Sequence, residues 1–469
     1  MAYWRNIGVE EVSIGGFQGL HEAVAPINRP LGLVSRVSNL RVSRPSALST
    51  RQGLTRLGTA QSGIVRGIHR YTNLSGSTVH LIAGFGSSLM RYNPATQTWT
   101  SIGSLSDNRW TAANIASSSD YAVFFDGVQP KKWNGTTLTN LSNAPKGRYV
   151  VEAYNQLFVG GIPGRENDVA FCDVALPEVW SPSPTNDAGS ITVGTDPIRW
   201  IGYDKVQGKV LIWTTRSVEQ LNGPETPNRP NLWSVRTVAQ EGTVCGWTVQ
   251  HIAGNWIWLA DDAFCVWAGG SLTKIVEPFR VSFNMIDWSK IDQATSWVTQ
   301  QGEYVCSVPQ TGGGVLWFVL NPQSGWLVGT GPDIRAFGMF EFDGRTQTVL
   351  GDADGKVYMA GGATDDGAPV TWYVEIGPSI LGNAFERKHL LSVDVVVTLA
   401  VGGTAYAALS VTELGEDWGP TYSITPQYQY NVLRVPVPPA RSDIFRLKIW
   451  GTGQATVHDV RLRFATGRS

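Results

Sequence analysis

Short hydrophobic runs separated by turn residues dominate residues 64–361. The runs are alternating or continuous, rich in β-branched and aromatic residues, and end in Gly, Asn or Asp. Examples are "VHLIAGFGSSLMRYNPATQTW", "GKVLIWTTRSVEQL" and "GNWIWLADDAFCVWAGG". With turns about every 8 to 12 residues, this pattern predicts consecutive antiparallel strands and an all-β protein.

Tryptophans recur near the ends of these runs. Their mean spacing is about 45 residues, within the roughly 40 to 50 residues of a four-stranded propeller blade. They are Trp99, Trp133, Trp180, Trp233, Trp267 and Trp326. We therefore predict a β-propeller of six or seven blades over residues 61–362. Because the spacing is irregular, a sandwich or stacked sheets is the alternative.

Longer strands follow in residues 363–469, and they predict a separate C-terminal β-sandwich. Within it, "IFRLKIW" and "DVRLRF" alternate between apolar and basic residues. An antiparallel sheet with one solvent-exposed face produces this alternation. The basic residues on that face are Arg446, Lys448, Arg461 and Arg463.

The first 60 residues fit neither domain, because Pro, Gly and Ser interrupt any long element. Between Glu22 and Asp107 the chain has no Asp, Glu or Lys, but many arginines. Exclusive use of arginine favours fixed, bidentate contacts with carboxylates or backbone at a protein interface. We predict an extended docking arm over residues 1–60, ahead of DNA binding and a solvated tail. The predicted partner-docking residues are Arg29, Arg36, Arg41, Arg44, Arg51 and Arg56.

Charge is distributed unevenly along the chain. The whole sequence has 37 basic and 38 acidic residues, yet residues 1–70 hold nine Arg against three Glu. Residues 71–469 therefore carry 28 basic and 35 acidic residues. A basic arm on a mildly acidic body is the expected arrangement. No run of 18 apolar residues exists, so we predict no membrane span.

Motifs for catalysis and metal binding are weak. The run Asp352-x-Asp354-Gly355 is similar to a calcium loop but lacks its later Gly and Glu, so we predict a hairpin turn. Asp261-Asp262 and Asp365-Asp366 are adjacent pairs, and adjacent strand residues point to opposite faces. We therefore predict no catalytic residue, no metal site, no cofactor and no enzymatic activity.

Aromatic and sulfur-containing residues are interpreted as core. Trp256 and Trp258 alternate along one strand, and we favour packing over sugar or base stacking. The cysteines are widely spaced within apolar runs, so buried free thiols and a reducing place of synthesis are expected. They are Cys172, Cys245, Cys265 and Cys306.

Several segments resemble one family of virion proteins. In "SRVSNLRVSRPSALSTRQGLTRLG", Asn39-Leu40 is followed by Ala47-Leu48, Arg51 and Gly53-Leu54, as at the start of that family. The segments "FERKHLLSVDVVV", "TELGEDWG" and "RSDIFRLKIWGTGQATVHDVRLRF" resemble its closing sandwich. The family is the tail hub or nozzle protein, also called the packaged-DNA stabilization protein, of short-tailed bacteriophages.

The resemblance implies a homo-oligomeric ring, typically a hexamer, in the virion tail below the portal and adaptor proteins. Such a ring continues the channel for double-stranded DNA, retains the packaged genome, conducts it at ejection and carries fibre, spike or needle proteins. The chain would be synthesised in the host cytoplasm. A glycan-binding receptor-recognition propeller is the alternative, and a propeller hydrolase or lyase is a further rival.

Overall fold

The computed structural model describes the chain except residues 1–7, 25–29, 44–46, 117–119, 224–232, 322–324, 343, 381–387, 413–416, 425, 427, 429, 436, 438–440, 443 and 467–469. The described residues form 43 strands in nine sheets. Their helical structure is limited to one α-helical turn, α1 (Arg280–Phe283), and short 3₁₀ turns at Gly246–Thr248, Glu277–Phe279 and Trp288–Gln293. No helix within the described part is long and apolar enough to cross a membrane.

Six short strands begin the chain, and they belong to three different sheets. They are β1 (Gly8–Ser13), β2 (Gly19–Leu20), β3 (Leu33–Ser38), β4 (Leu40–Ser43), β5 (Ala47–Thr50) and β6 (Leu54–Arg56).

Four antiparallel sheets follow, each made of four consecutive strands. Blade 1 is β7 (Val65–Thr72), β8 (Val79–Phe85), β9 (Ser88–Asn93) and β10 (Thr98–Ser104). Blade 2 is β11 (Thr111–Ile115), β12 (Tyr121–Phe125), β13 (Lys131–Trp133) and β14 (Leu138–Asn140). Blade 3 is β15 (Tyr149–Ala153), β16 (Gln156–Gly160), β17 (Asp168–Phe171) and β18 (Gly189–Thr192). Blade 4 is β19 (Ile198–Asp204), β20 (Lys209–Thr214), β21 (Val218–Asn222) and β22 (Ser234–Ala239).

Three more blades follow along the chain. Blade 5 is β23 (Gln250–Ile252), β24 (Asn255–Leu259), β25 (Phe264–Trp267) and β26 (Leu272–Ile275). Blade 6 is β27 (Thr295–Val298), β28 (Tyr304–Pro309), β29 (Val315–Asn321) and β30 (Gly325–Gly329). Blade 7 has three consecutive strands, β31 (Ile334–Phe342), β32 (Arg345–Asp352) and β33 (Val357–Ala360). Its fourth strand is β6, which pairs Leu54 with Ala360 and Arg56 with Tyr358.

The first strand of each blade lies innermost, and these strands form a closed ring. β7 contacts β11 on one side and β31 on the other, so the last blade packs against the first. The predicted propeller is therefore confirmed, with seven blades. The six periodic tryptophans fall one in each of blades 1 to 6.

The C-terminal region is a two-sheet sandwich. A small hairpin, β34 (Thr364–Asp365) and β35 (Ala368–Pro369), lies beside β6. The remaining strands are β36 (Thr371–Ile380), β37 (Lys388–Leu399), β38 (Thr404–Ser410), β39 (Tyr422–Ile424), β40 (Asn431–Val435), β41 (Arg441–Ser442), β42 (Ile444–Thr452) and β43 (Ala455–Thr466). One sheet has the order β4-β5-β43-β37-β40, with β1 on β43 and β41 on β37; the other has the order β2-β3-β36-β42-β38-β39.

Alternation along the sandwich strands decides which side chains are buried. On β42, Phe445, Leu447 and Ile449 are buried between the sheets, while Lys448 and Trp450 point outward. The predicted alternation of basic residues is thus present. However, the two pairs lie on different sheets: Arg446 and Lys448 on β42, and Arg461 and Arg463 on β43.

The predicted separate arm requires a division of the fold near residue 60, and the described residues show no such division. Strands β1 to β5 pair with both sheets of this chain's own sandwich, and β6 completes blade 7. The physical reason is the apolar residues interleaved with the arginines. Val34, Leu40 and Leu48 are fully buried in a core that continues into blades 5 and 6.

Candidate functional site

The predicted docking arginines all have carboxylate partners within their own chain wherever the structure describes them. Arg29 and Arg44 lie outside the described residues. The remaining pairs are Arg36–Glu375, Arg41–Glu303, Arg51–Asp365 and Arg56–Asp366. These carboxylates belong to the same molecule, and docking of the arginines on another protein stays a prediction.

Arg51 is the most enclosed of the four, with 5% of its side chain exposed. Its two terminal nitrogens donate to the two carboxylate oxygens of Asp365 at 2.9 and 2.5 Å, and its Nε donates to Asn39 Oδ1 at 3.1 Å. The guanidinium also lies 5.0 Å from the ring centre of Trp317 in blade 6. Asn39 in turn donates to the Thr371 carbonyl at the start of β36. This network joins the β4–β6 segment to blade 6 and the sandwich.

Arg41 makes a second enclosed pair. Its Nε lies 3.3 Å from a carboxylate oxygen of Glu303, and both side chains are nearly buried. Burial lowers the pKa of Arg41, and the adjacent Glu303 opposes that shift. Arg41 and Arg51 line a cavity of about 400 Å³ between the N-terminal segment and blades 6 and 7. Because a carboxylate neutralises each arginine, this cavity has no excess charge from them.

Arg36 differs from the other three because 65% of its side chain is exposed. It lies on the outward face of the sandwich, 4.0 Å from Glu375. Glu375 is held mainly by buried Arg446, which donates to it at 2.8 and 3.0 Å. Trp418 covers Arg446 and Lys448, and Trp450 stacks on Tyr406 at 5.7 Å. Arg36 is thus the most accessible of the described docking candidates, ahead of Arg56 with 40% of its side chain exposed, and it lies beside a basic and aromatic face.

In both acidic pairs weighed as catalytic candidates, carboxylates form ion pairs with basic residues of the chain. Asp365 and Asp366 pair with Arg51 and Arg56, and Asp262 pairs with Lys274 at 2.8 Å. Lys274 also pairs with Glu241, so a lysine already contacts the acidic group formed by Glu241, Asp261 and Asp262.

The calcium-like run is a hairpin turn between β32 and β33, as predicted. Asp352 accepts hydrogen bonds from the Asp354 and Lys356 amides and from the Tyr358 hydroxyl.

The core interpretations of the aromatic and sulfur-containing residues are confirmed. Trp256 and Trp258 are buried in the packing between blades 4 and 5. Cys172, Cys245, Cys265 and Cys306 are all buried free thiols.

A ring of arginines at the mouth of the propeller channel was not anticipated from the sequence. Five blades place an arginine where the innermost strand begins; these are Arg66, Arg109, Arg148, Arg199 and Arg335. Trp247 of blade 5 and Asp292 before blade 6 occupy the two remaining positions. Together they line a cavity of about 270 Å³.

A sequence signal for this ring exists. In each of the five blades an arginine is followed by Gly, Trp, Tyr or Ala, as in "NRWTA", "GRYVV" and "IRWIG". Including Trp247 and Asp292, the positions are separated by 43, 39, 51, 48, 45 and 43 residues. This period is more regular than that of the tryptophans, whose intervals are 34, 47, 53, 34 and 59 residues.

Arg109 reaches across the channel. It leaves blade 2, and its Nη1 donates to the Asp292 and Ala294 carbonyls at 3.0 and 2.9 Å on the blade 6 side. It also donates to the Thr295 hydroxyl, and its guanidinium lies 4.2 Å from the ring centre of Trp247. Because blades 2 and 6 are separated by at least two blades in either direction, this side chain spans the opening. Arg109 also lines a second, aromatic-lined cavity of about 190 Å³.

No protein-family model and no curated protein matches this chain. Among solved structures, the chain is similar to BBS1N, crystallised in complex with ARL6DN, at a TM-score of 0.42 and 10% sequence identity. The match covers 66% of this chain and 97% of that chain. The propeller assignment rests on the strand pairing described above.

Proposed function

We propose that the chain is a non-enzymatic structural component of a bacteriophage tail, of the hub or nozzle type. In this proposal, copies assemble into a ring below the portal and adaptor proteins, and the ring retains and later conducts the packaged DNA. The observation that carries it is the interweaving of the N-terminal segment. Strands β1 to β6 tie both sandwich sheets to blade 7, and Arg51 joins blade 6 to the same segment. A rigid two-domain unit suits a part that transmits force within an assembly.

The channel of a single propeller does not suit passage of DNA, because Arg109 spans it. The proposed conduit therefore lies between copies, around the axis of the ring. Residues 71–469 carry more acidic than basic residues. Walls of that net charge would let phosphates slide past without trapping them.

Among the predicted docking arginines that the structure describes, Arg36 is the most exposed, and this proposal places the main contact there; Arg56 is less exposed and pairs with Asp366. Arg41 and Arg51 are enclosed by carboxylates of their own chain, so their removal would disturb folding before it disturbed docking. Arg36 is exposed on the outward sandwich face beside Lys448 and Trp450. We expect this face to contact a neighbouring copy or an adjoining tail protein.

The test is electron microscopy of the purified full chain at high concentration, with light scattering for mass. We expect a closed ring whose axial opening admits a B-DNA duplex. Arg36→Ala should weaken ring formation or attachment to tail particles, while Arg434→Ala should not. Arg434 is the matched control because it is an exposed arginine on the outward face of the other sandwich sheet. A monomer that binds immobilised glycans, with no incorporation into particles, would contradict the proposal and favour a glycan-binding propeller.

A further inference from the structure

Positive charge at the channel mouth exceeds the carboxylates that balance it. Arg66 pairs with Asp107 at 2.8 Å, and Arg335 pairs with Asp333 at 2.6 Å. Among the described residues that line this cavity the carboxylates are Asp107 and Asp292, while Asp333 pairs with Arg335 from outside the lining. Five guanidinium groups therefore face three carboxylates, which leaves an excess of two positive charges.

In two of the arginines a buried nitrogen donor has no hydrogen-bond acceptor among the described residues. Arg109 Nε and Arg335 Nε are both inaccessible and have no hydrogen-bond acceptor within the described part of the chain. A buried donor without an acceptor costs stability, so native structures normally supply one. Because solvent does not reach these two atoms, an oxyanion in the cavity would offset their cost through its charge, and its hydrogen bonds would come from the exposed guanidinium groups of Arg148 and Arg199.

The arginines are held close together despite their like charge. Burial, with a smaller contribution from the nearby Arg335, lowers the pKa of Arg109 to about 10, and Asp292 opposes that shift. Arg109 remains charged at neutral pH. Its position is fixed by two carbonyls and by Trp247, none of which neutralises it. Arg51 differs from Arg109 because the carboxylate of Asp365 neutralises its charge.

We propose that the mouth of the propeller channel binds an oxyanion, the phosphate or carboxylate group of a small ligand. Guanidinium groups form short, paired hydrogen bonds with both kinds of group. The cavity of about 270 Å³ is slightly smaller than typical drug-sized ligand pockets, which start near about 300 Å³. It therefore suits one charged group with a few attached atoms. This site does not depend on the proposed role in a tail.

Calorimetric titration of the full chain with inorganic phosphate, and separately with malonate, tests the site. The buffer is Tris-chloride at constant ionic strength, so that general screening is the same throughout. We expect saturable binding of one anion per chain. Tighter binding of phosphate identifies a phosphate-bearing ligand, and tighter binding of malonate identifies a carboxylate.

The informative variants are Arg148→Ala and Arg199→Ala. Both side chains are exposed at the cavity rim and neither has a carboxylate within 4 Å among the described residues, so the fold should tolerate their loss. Each should weaken binding about tenfold or more, as expected for a lost charged hydrogen bond. Arg236→Ala is the matched control, an exposed arginine on the outer strand of the same blade as Arg199. Absence of binding, or equal weakening by all three variants, would overturn the proposal.

Discussion

The arginines of the N-terminal segment and those of the channel mouth have the same chemistry in opposite surroundings. Arg41 and Arg51 are enclosed, and each meets a carboxylate of another part of the chain. Arg148 and Arg199 face solvent and an open cavity, next to further arginines. The first group stabilises the joint between domains, whereas the second concentrates positive charge that the protein itself leaves partly unbalanced.

The difference shows that the neighbours of a charged residue decide its role, and that these neighbours are distant in sequence. Arg51 and Asp365 are 314 positions apart, and Arg41 and Glu303 are 262 apart. An acid-free window in the sequence thus reflects carboxylates supplied from elsewhere in the fold. It is no evidence that they come from another molecule.

The largest effect should come from breaking the enclosed pair at Arg51. Arg51→Met removes both hydrogen bonds to Asp365 and the one to Asn39, leaving a partly buried carboxylate without its partner. Loss of one partner of a buried ion pair costs about 3–5 kcal/mol. We expect that loss in the free energy of unfolding, measured by urea denaturation followed by tryptophan fluorescence.

Arg56→Ala is the control for that measurement. Arg56 pairs with the neighbouring Asp366, but both side chains are substantially exposed. Exposed pairs contribute about 0–1 kcal/mol. If Arg51→Met were no more destabilising than Arg56→Ala, the Arg51 network would not be holding the domains together.

A smaller change in the free energy of unfolding is expected at His69, a buried side chain that can lose its positive charge. His69 lies between blades 1 and 2, near the ring of Phe124, with its Nε2 2.9 Å from Asn114 Oδ1. Asn114 uses its amide nitrogen to donate to the Arg70 carbonyl, so its oxygen is the acceptor and His69 Nε2 carries the proton. Burial lowers the pKa of His69 to about 4, although the Asn114 contact opposes the shift. His69 is therefore neutral at pH 7, unlike Arg109.

The pH dependence follows from that lowered pKa. Between an unfolded pKa of about 6.5 and the folded value, the unfolded chain binds more protons, so stability falls as the pH falls. His69 should account for about 2–3 kcal/mol lost between pH 7.5 and 4.5. The variant His69→Gln keeps a donor for Asn114 but cannot titrate. Urea denaturation at both pH values should show a smaller loss in the variant; equal losses would exclude His69 as the cause.

Much of the fold follows from local sequence pattern, and the exceptions have a common cause. Strand alternation and turn spacing predict the blades because each blade is built from neighbouring residues. The exceptions depend on distant segments. β6 is only the tripeptide Leu54–Arg56, and its pairing with Val357–Ala360 is set by closure of the ring. The N-terminal strands likewise become sandwich strands because Val34 and Leu48 reach a core that the C-terminal strands provide.

The channel-mouth arginines were missed for a different reason. Each one alone, such as Arg199 before Trp200, is an ordinary polar residue at the start of a strand. Only the common position in successive blades brings them together, and a search for repeated tryptophans does not reveal it. The repeated arginine followed by a small or aromatic residue is the better marker of the blade period in this chain.

The smallest expected change in stability provides the sharpest contrast with Arg51. Arg199→Ala removes a guanidinium that is exposed and has no carboxylate within 4 Å among the described residues. Surface substitutions of this kind usually change the free energy of unfolding by no more than about 0.5 kcal/mol. Loss of one positive charge beside Arg109 and Arg148 can also reduce repulsion. We therefore expect urea denaturation without added anion to show unchanged or slightly higher stability.

With phosphate added, the wild-type protein should gain stability and the Arg199→Ala variant should gain less, since only a ligand of the folded state shifts the equilibrium. A clear loss of stability in Arg199→Ala without anion would mean that this arginine, like Arg51, is a structural residue.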